Sequence, residues 1–415
     1  MATKIWLINE GENLPGDDNN PRLQRMGLLA YELTRMNDVE IVWWHTTFNH
    51  NQKTFRCHED KTICLTDNMI LKLINSCGYN KNVCVRRMVH EYITAKKFYK
   101  QAEKEACPDV IVVAMPTIAS THYAVKFGNK HNIPVLVDCR DLQPDVYLSP
   151  FNGLMKQCVK IGIKPLQKVL GKALKNANGL IGTTDPYLNW GLNYAGRERG
   201  ENDRVYYVSY PDKGIVKGLS ENSRWAKYQD YKGIICCFFG QFGNLPDFDT
   251  LIDAAEICQK KELEVIFLIC GKGELLEHYQ NLVKQKGLNN VELPGWVNQT
   301  DILDVGYISD IGLMAYKNDD NFNMQMPNKF SEYLSLGLAI LLQPTGIMQK
   351  VISDNDCGVR YETPMDLYAA LKDLSEDREK LARFKRNSRL LFERDFSVEK
   401  VYKEYSEYII KNGKK

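Results

Sequence analysis

A chain of 415 residues with 44% hydrophobic and 26% charged side chains has room for about two cored domains and the composition of a soluble globular protein. Its net charge is +2, so no nucleic-acid partner is expected; twelve cysteines without a CxxC pair argue for reduced cytosolic thiols and against a zinc site. Its longest apolar runs, at 110–115 and 338–342, are far short of a membrane span, and residues 5–8 are too short for a signal peptide.

The charge is unevenly shared. Residues 1–205 carry 27 lysines and arginines against 21 acids, and the remainder 27 against 31. Such a split predicts that only the first half meets an anionic surface.

Residues 4–9 read as a strand, followed by the polar loop GENLPGDDNNP at 11–21. This loop holds Gly11 and Gly16 and leaves the carboxyl edge of a parallel sheet, where such folds bind ligands; a plain solvent-exposed connection has the same composition. Residues 22–36 repeat Leu23, Met26, Leu29 and Leu33 at helical spacing, and 39–44 form the second strand. Residues 45–85 have no usable periodicity, and His45, His50 and His58, without ligand spacing, read as surface or packing histidines. A helix over 92–106, a strand over 109–114, a helix over 118–131 and a strand over 134–138 follow. Arg140 and Asp141 come just past that last strand, where they can reach a substrate or form a structural ion pair.

Residues 151–178 hold six lysines and no acid. On a helical projection Met155, Cys158, Val159, Leu166, Val169, Leu170 and Ala173 share one side, with most lysines opposite; Gly162 and Pro165 divide the stretch into two helices. The segment is expected to meet an anionic membrane, the alternative being two surface helices packed on the sheet with solvated lysines. A strand at 180–183, a helix opening at Pro186 under Thr184 and Asp185, and a strand at 206–211 complete this half. The alternation restarts beyond 230, with strands at 233–239, 264–270, 291–293, 309–314, 339–342 and 358–361, helices at 248–261 and 274–286, and a terminal helix from 396. The fold class is therefore α/β, with two successive doubly wound domains at 1–205 and 206–395 and a terminal helix at 396–415.

The most informative stretch is MPNKFSEYLSLGLAIL at 326–341. Pro327 suits a helix start, Gly337 ends the helix, and a buried strand follows. A helix N-terminus favours phosphate; Lys329 adds a mobile full charge there, and Glu332, one turn in, can accept two sugar hydroxyls, the alternative being a capped helix with an ordinary surface ion pair. The loop at 240–247 brings Gly243 and Asn244 to another strand-to-helix turn, where backbone can approach a diphosphate, and Gly271 leaves room for a base. Asp247 with Asp249, and Asp354 with Asp356, spell DxD but read as caps and loop residues, so no metal is expected.

These motifs carry a resemblance. GxxGN before a helix, then CGKGE, LNNVELPGWV, SDIGLMAY and PNKFSEYLSLGLAI follow one another as in family-4 glycosyltransferases, and IWLINEGENLPGD and VLVDCRDLQPD look like bacterial surface-polysaccharide members of that family. The resemblance implies a GT-B fold, with two Rossmann-like domains facing across a cleft and the terminal helix returning to the first. It also implies sugar transfer with retention of configuration and no cofactor or required metal. Carried over by position, Glu332 resembles the carboxylate that grips the donor ribose, and Asn328 and Lys329 fall where the donor's phosphates and sugar are met. Gly243 and Asn244 fall in the loop facing the diphosphate, Gly271 beside the base, and Arg140 and Asp141 on the acceptor side. Two positions depart from the pattern. Met324 stands where the first carboxylate of Glu-x7-Glu would fall, and GQFGNLPDF lacks the Arg and Lys of many members.

The expected function is transfer from a nucleotide-sugar donor, a UDP-sugar, to a glycan or lipid-linked oligosaccharide acceptor in O-antigen or capsule assembly. The protein would be cytoplasmic, peripheral on the inner face of the cytoplasmic membrane. Lys329 would stabilise the leaving diphosphate, whose oxygen can take the acceptor proton; Asp141 is the candidate base. The alternatives are a UDP-sugar epimerase of the same fold and a non-catalytic subunit of a polysaccharide complex.

Overall fold

The computed structural model describes residues 2–17, 22–82, 84–149, 151–214 and 216–413. The chain divides into two compact units, Met1–Tyr207 with Val401–Lys415, and Val208–Lys400.

The first unit runs β1 (Thr3–Ile8), α1 (Arg25–Thr34), β2 (Val39–Thr46), β3 (Phe48–Asn49), β4 (Thr54–Phe55), β5 (Lys61–Thr66), β6 (Met69–Ile74), α2 (Val85–Ala102), β7 (Val110–Met115), α3 (Ile118–His131), β8 (Val135–Cys139), α4 (Gly153–Gly162), α5 (Lys164–Lys175), β9 (Gly179–Gly182), α6 (Asp185–Ala195) and β10 (Arg204–Val205). Its eight-stranded sheet has the order β10-β9-β8-β7-β1-β2-β6-β5, parallel except for β5 against β6. Strands such as VIVVAM in β7 are buried along their whole length, because helices cover such a sheet on both faces. Trp6 stacks on Phe127 at 5.2 Å and meets Trp44 edge-on at 5.3 Å. β1 pairs with both β2 and β7, so the connections reverse direction beside it, and the carboxyl ends of these strands open a crevice.

The unperiodic stretch 45–85 is a pair of short hairpins, β3–β4 and β5–β6, the second extending the sheet. The basic segment divides as Gly162 and Pro165 predict: α5 buries Leu170, Ala173 and Leu174, whereas α4 buries nothing. The strand expected at 206–211 is absent; β10 ends at Val205, and Tyr210 makes only an isolated bridge with Ser397.

The second unit runs β11 (Ile234–Gln241), α7 (Phe248–Lys260), β12 (Val265–Lys272), α8 (Leu276–Gln285), β13 (Val291–Glu292), α9 (Gln299–Ile308), β14 (Ile311–Met314), α10 (Asp320–Met324), α11 (Asn328–Ser335), β15 (Ala339–Leu342), α12 (Ile347–Asp354), β16 (Gly358–Arg360), α13 (Pro364–Glu376) and α14 (Arg378–Asp395). Its sheet is parallel throughout, in the order β13-β12-β11-β14-β15-β16, with the reversal between β11 and β14. The last helix, α15 (Val398–Gly413), belongs to the first unit from Val401 onward. Among the described residues no helix is long and apolar enough to cross a membrane.

Candidate functional site

In the second unit the site forms at the carboxyl end of β11. Pro327 is the N-cap of α11, with Asn328 exposed at its first position. Lys329 follows, and its side chain folds back over the sheet. Its Nζ lies 3.8 Å from the Phe238 ring centre and 4.8 Å from that of Tyr316. Gly240 makes room for it, since a Cβ there would come within 2.7 Å of that nitrogen. The ammonium is buried without a hydrogen-bond partner, so the mobile charge expected from the sequence is instead enclosed. Burial pushes its pKa down to about 7, and Glu332 partly offsets the shift. Glu332, one turn further on, is 6% exposed.

An unpaired buried amine is costly, and the positive end of a helix adds to the cost. An anion received at this point would remove it. The loop after Gly240 frames the same place: Pro246 bridges to Tyr316, whose ring flanks Lys329. Gly243 faces open space, and Asn244 is exposed beside it. Gly271 has a packing reason, because a Cβ there would fall 1.7 Å from the Gly240 carbonyl; it holds β12 against β11 where the loop begins.

In the first unit a cavity of about 310 Å³ lies beyond the ends of β1, β2, β7 and β8. Gly11, Arg140 and Asp141 line it, and Gly11 turns there with φ +93°. Gly16 lines a separate hollow with Asp17, Asn49 and Arg56; residues 18–21 of the expected ligand loop lie outside the described residues. Arg140 does not pair with Asp141. It bonds Glu12 and Asp138, and Arg25 donates to the same Asp138 at 2.9 Å. Burial alone would raise the Asp138 carboxyl, but Arg140 and Arg25 hold it below its ordinary value. The Asp141 carboxylate accepts the Leu142 N–H at 2.7 Å, and burial raises its pKa.

The cavity also contains groups that the sequence did not single out for a site: Glu10, Tyr79, Arg87, His90 and Glu91, together with His50, expected only as a surface or packing residue. Arg87 donates to Glu91 at 2.8 Å, an i,i+4 pair on α2. Glu10 accepts from Ser120 and Thr117, and burial, with Glu91 nearby, pushes its carboxyl up to about 8. Burial and neighbouring cations push His50 down to about 4.

The model of the family "Glycosyl transferases group 1" matches residues 220–391. The match covers 172 of the chain's 415 residues, most of the second unit. Lys329, Glu332, Gly240 and Gly271 all lie within the matched stretch. Among solved structures, Anabaena HepE in complex with UDP is 12% identical over 98% of both chains, with a TM-score of 0.66. The trehalose-6-phosphate structure from E. coli bound with UDP-2-fluoro glucose is 10% identical over 98% of this chain and 99% of that one, with a TM-score of 0.69. WaaG, a glycosyltransferase involved in lipopolysaccharide biosynthesis, is 13% identical over 98% and 99%, with a TM-score of 0.62. At these identities the likeness is one of fold, an α/β architecture with two Rossmann-like units. No curated protein sequence matches the chain.

In the second unit the DxD carboxylates Asp247, Asp354 and Asp356 have structural partners. Asp247 caps α7, accepting from Thr250 Oγ1 at 2.9 Å and Gln343 Nε2 at 2.7 Å. Asp354 pairs with Lys350 and Asp356 with Arg383. Among the described residues no group of three His, Cys, Asp or Glu is placed to hold a metal ion. Met324, in place of the family's first carboxylate, closes α10.

Proposed function

We propose that the protein transfers a sugar, with retention, from a UDP-sugar bound by its group 1 domain to a lipid-linked glycan acceptor held by its first unit, in surface-polysaccharide assembly. The observation that carries this reading is the buried, unpartnered Nζ of Lys329 at the start of α11. As the glycosidic bond breaks, charge accumulates on the leaving diphosphate, and a fixed cation with helix N–H groups stabilises it most in the transition state. Glu332 would accept the ribose hydroxyls and Asn328 would meet the donor's phosphates and sugar. Gly243 and Asn244 would leave space for the diphosphate. The departing phosphate is the acceptor's proton sink, with Asp141 as an alternative base. Neighbours solved with UDP and UDP-2-fluoro glucose support the choice of donor. Incubation with labelled UDP-sugars and lipid-linked oligosaccharide should move label into the lipid fraction; donor binding without transfer or hydrolysis would point to a non-catalytic subunit, and interconversion of the UDP-sugars to an epimerase.

Because a lysine and a helix end can carry the charge, activity is expected to survive EDTA. Loss in chelator with recovery in Mn²⁺ would overturn that expectation.

The membrane contact rests on α4. None of its residues is buried, Leu154 is 82% and Ile161 65% exposed, and Lys156 and Lys160 lie among them. The packed alternative therefore applies to α5 alone, which adds Lys164, Lys168, Lys172 and Lys175. An apolar helix face with lysines and no acid suits an anionic lipid surface, each lysine adding about 1 kcal/mol that salt screens. The first turns of α2 expose Val85, Met88, Val89 and Tyr92, while Arg87 and Glu91 from those turns line the cavity. An apolar rim thus borders the acceptor site, consistent with a peripheral enzyme on the inner face of the cytoplasmic membrane. The protein should co-sediment with anionic liposomes at low salt, and replacing Lys160, Lys164, Lys168 and Lys172 by Gln should weaken this with the fold intact. Equal sedimentation of parent and variant would remove these lysines from the contact.

A further inference from the structure

Charge and hydrogen bonding in the first-unit cavity restrict what it can hold. Four carboxyl groups line it, those of Glu10, Glu12, Glu91 and Asp141, against the guanidinium groups of Arg87 and Arg140. Both arginines are engaged, Arg87 by Glu91 and Arg140 by Glu12 and Asp138. Lys53, close by, donates to Asn82 Oδ1 at 2.6 Å and lies over the Tyr79 ring. The lining histidines carry no charge near neutral pH, because burial and neighbouring Arg87 push His90, like His50, down to about 4. A phosphate or carboxylate entering here finds no unengaged cation among these groups, and a buried anion without a partner is strongly disfavoured.

Two buried polar atoms of the lining residues lack partners. Glu10 Oε1 accepts from Thr117 Oγ1 at 3.2 Å and from Ser120 Oγ, but its Oε2 is buried and unbonded. His90 Nδ1 accepts the Gly78 N–H at 3.1 Å, which places the ring proton on Nε2, and that nitrogen is buried and unbonded too. Buried polar atoms are rarely left so unless something supplies the missing bonds. A hydroxyl can donate and accept, and adjacent sugar hydroxyls can serve a carboxyl and an imidazole N–H together. The rings of Phe48 and Tyr79, 4.7 Å apart, add apolar wall for the C–H face of a sugar.

We propose that this cavity seats an uncharged sugar unit, read through its hydroxyls by Glu10 and His90, and discriminates against uronic acids and sugar phosphates. The proposal rests on the glycosyl-transfer reading only in taking that sugar to be part of the acceptor. The test titrates the full chain at pH 7, by ligand-observed NMR, with methyl glucoside, galactoside, mannoside and N-acetylglucosaminide, then with methyl glucuronide and glucose 6-phosphate. At least one neutral glycoside should bind about tenfold or more tightly than either anion, and Glu10→Ala and His90→Phe should each weaken it about tenfold. Glu10→Gln, whose amide also donates and accepts, should stay near the parent. UDP, titrated into the same samples, should bind parent and variants alike. Should anions bind as well as neutral glycosides, or no neutral glycoside bind while UDP does, the cavity proposal fails and the donor reading stands. Unchanged glycoside binding in both the Ala and Phe variants, meaning that water alone occupies the unbonded atoms, would overturn it as well. Glycoside binding that depends on Glu10 without any UDP binding would keep the cavity and overturn the transferase reading.

Discussion

Lys329→Met should slow sugar transfer severely and, at the same time, raise the melting temperature. A lysine whose pKa falls from 10.5 to about 7 on folding is one that the fold holds at a loss. The unfolded chain binds more protons than the folded one between those values, so stability rises with pH across the window. The cost is present in full below about pH 7 and disappears towards 10.5. Methionine fills the same volume between Phe238 and Tyr316 without an amine to desolvate. Part of the gain is offset because Glu332 loses a favourable cation, so the expected increase is about 2 kcal/mol, a few degrees in melting temperature for a chain of this size. Turnover should fall on the order of 100-fold or more, the usual loss when a group aimed at developing negative charge is removed. Calorimetry at pH 7 and pH 9.5 with a parallel transfer assay checks both halves. The stability gain should shrink at the higher pH. A variant that melts lower and still transfers sugar would show that Lys329 is a structural residue.

Glu332→Gln should cost about 1.5–3 kcal/mol of UDP affinity, roughly 10- to 150-fold, because a charged acceptor shared by two hydroxyls is lost. Gln is the informative substitution. The side chain is 6% exposed, and Ala would confound binding with a packing defect. If the carboxylate grips the ribose, 2′,3′-dideoxy-UDP should bind parent and Gln variant with nearly equal affinity in a calorimetric titration. A tenfold difference that persists with the dideoxy nucleotide would place Glu332 elsewhere.

Legibility in the sequence followed the strength of local pattern. The buried parallel strands announce themselves as continuous apolar runs, and α3 opens at Ile118 behind its Thr117 cap, as its spacing indicates. No element is expected from the sequence at α9, α10, α12, α13 or α14, although Asn298 and Thr363 form capping boxes; α14 has few apolar positions among its charges. In the second unit Pro327, Lys329 and Glu332 pointed to an anion site because helix-end chemistry is local. The enclosure of Lys329 is not local: it depends on Phe238, Tyr316 and the missing side chain of Gly240, contributed by other strands. The first-unit cavity was the least legible. Glu10 follows an ordinary strand, His50 comes from a short hairpin, Tyr79 from the connection between β6 and α2, and His90 and Glu91 from the start of α2. Arg140 and Asp141, adjacent in sequence, suggested a pair, yet Arg140 turns to Asp138 and Glu12.

The most direct test of the central claim, that Lys329 and its helix end receive a nucleoside diphosphate, is the proton balance of UDP binding. At pH 8.5 an amine with a pKa of about 7 is mostly uncharged in the free protein. A diphosphate placed against it restores the charge and takes up a proton. UDP titrated in two buffers of different ionisation enthalpy should give heats that differ by nearly one proton taken up per site, an uptake that vanishes in Lys329→Met. Identical heats in both buffers, or the same uptake in the Met variant, would contradict the claim.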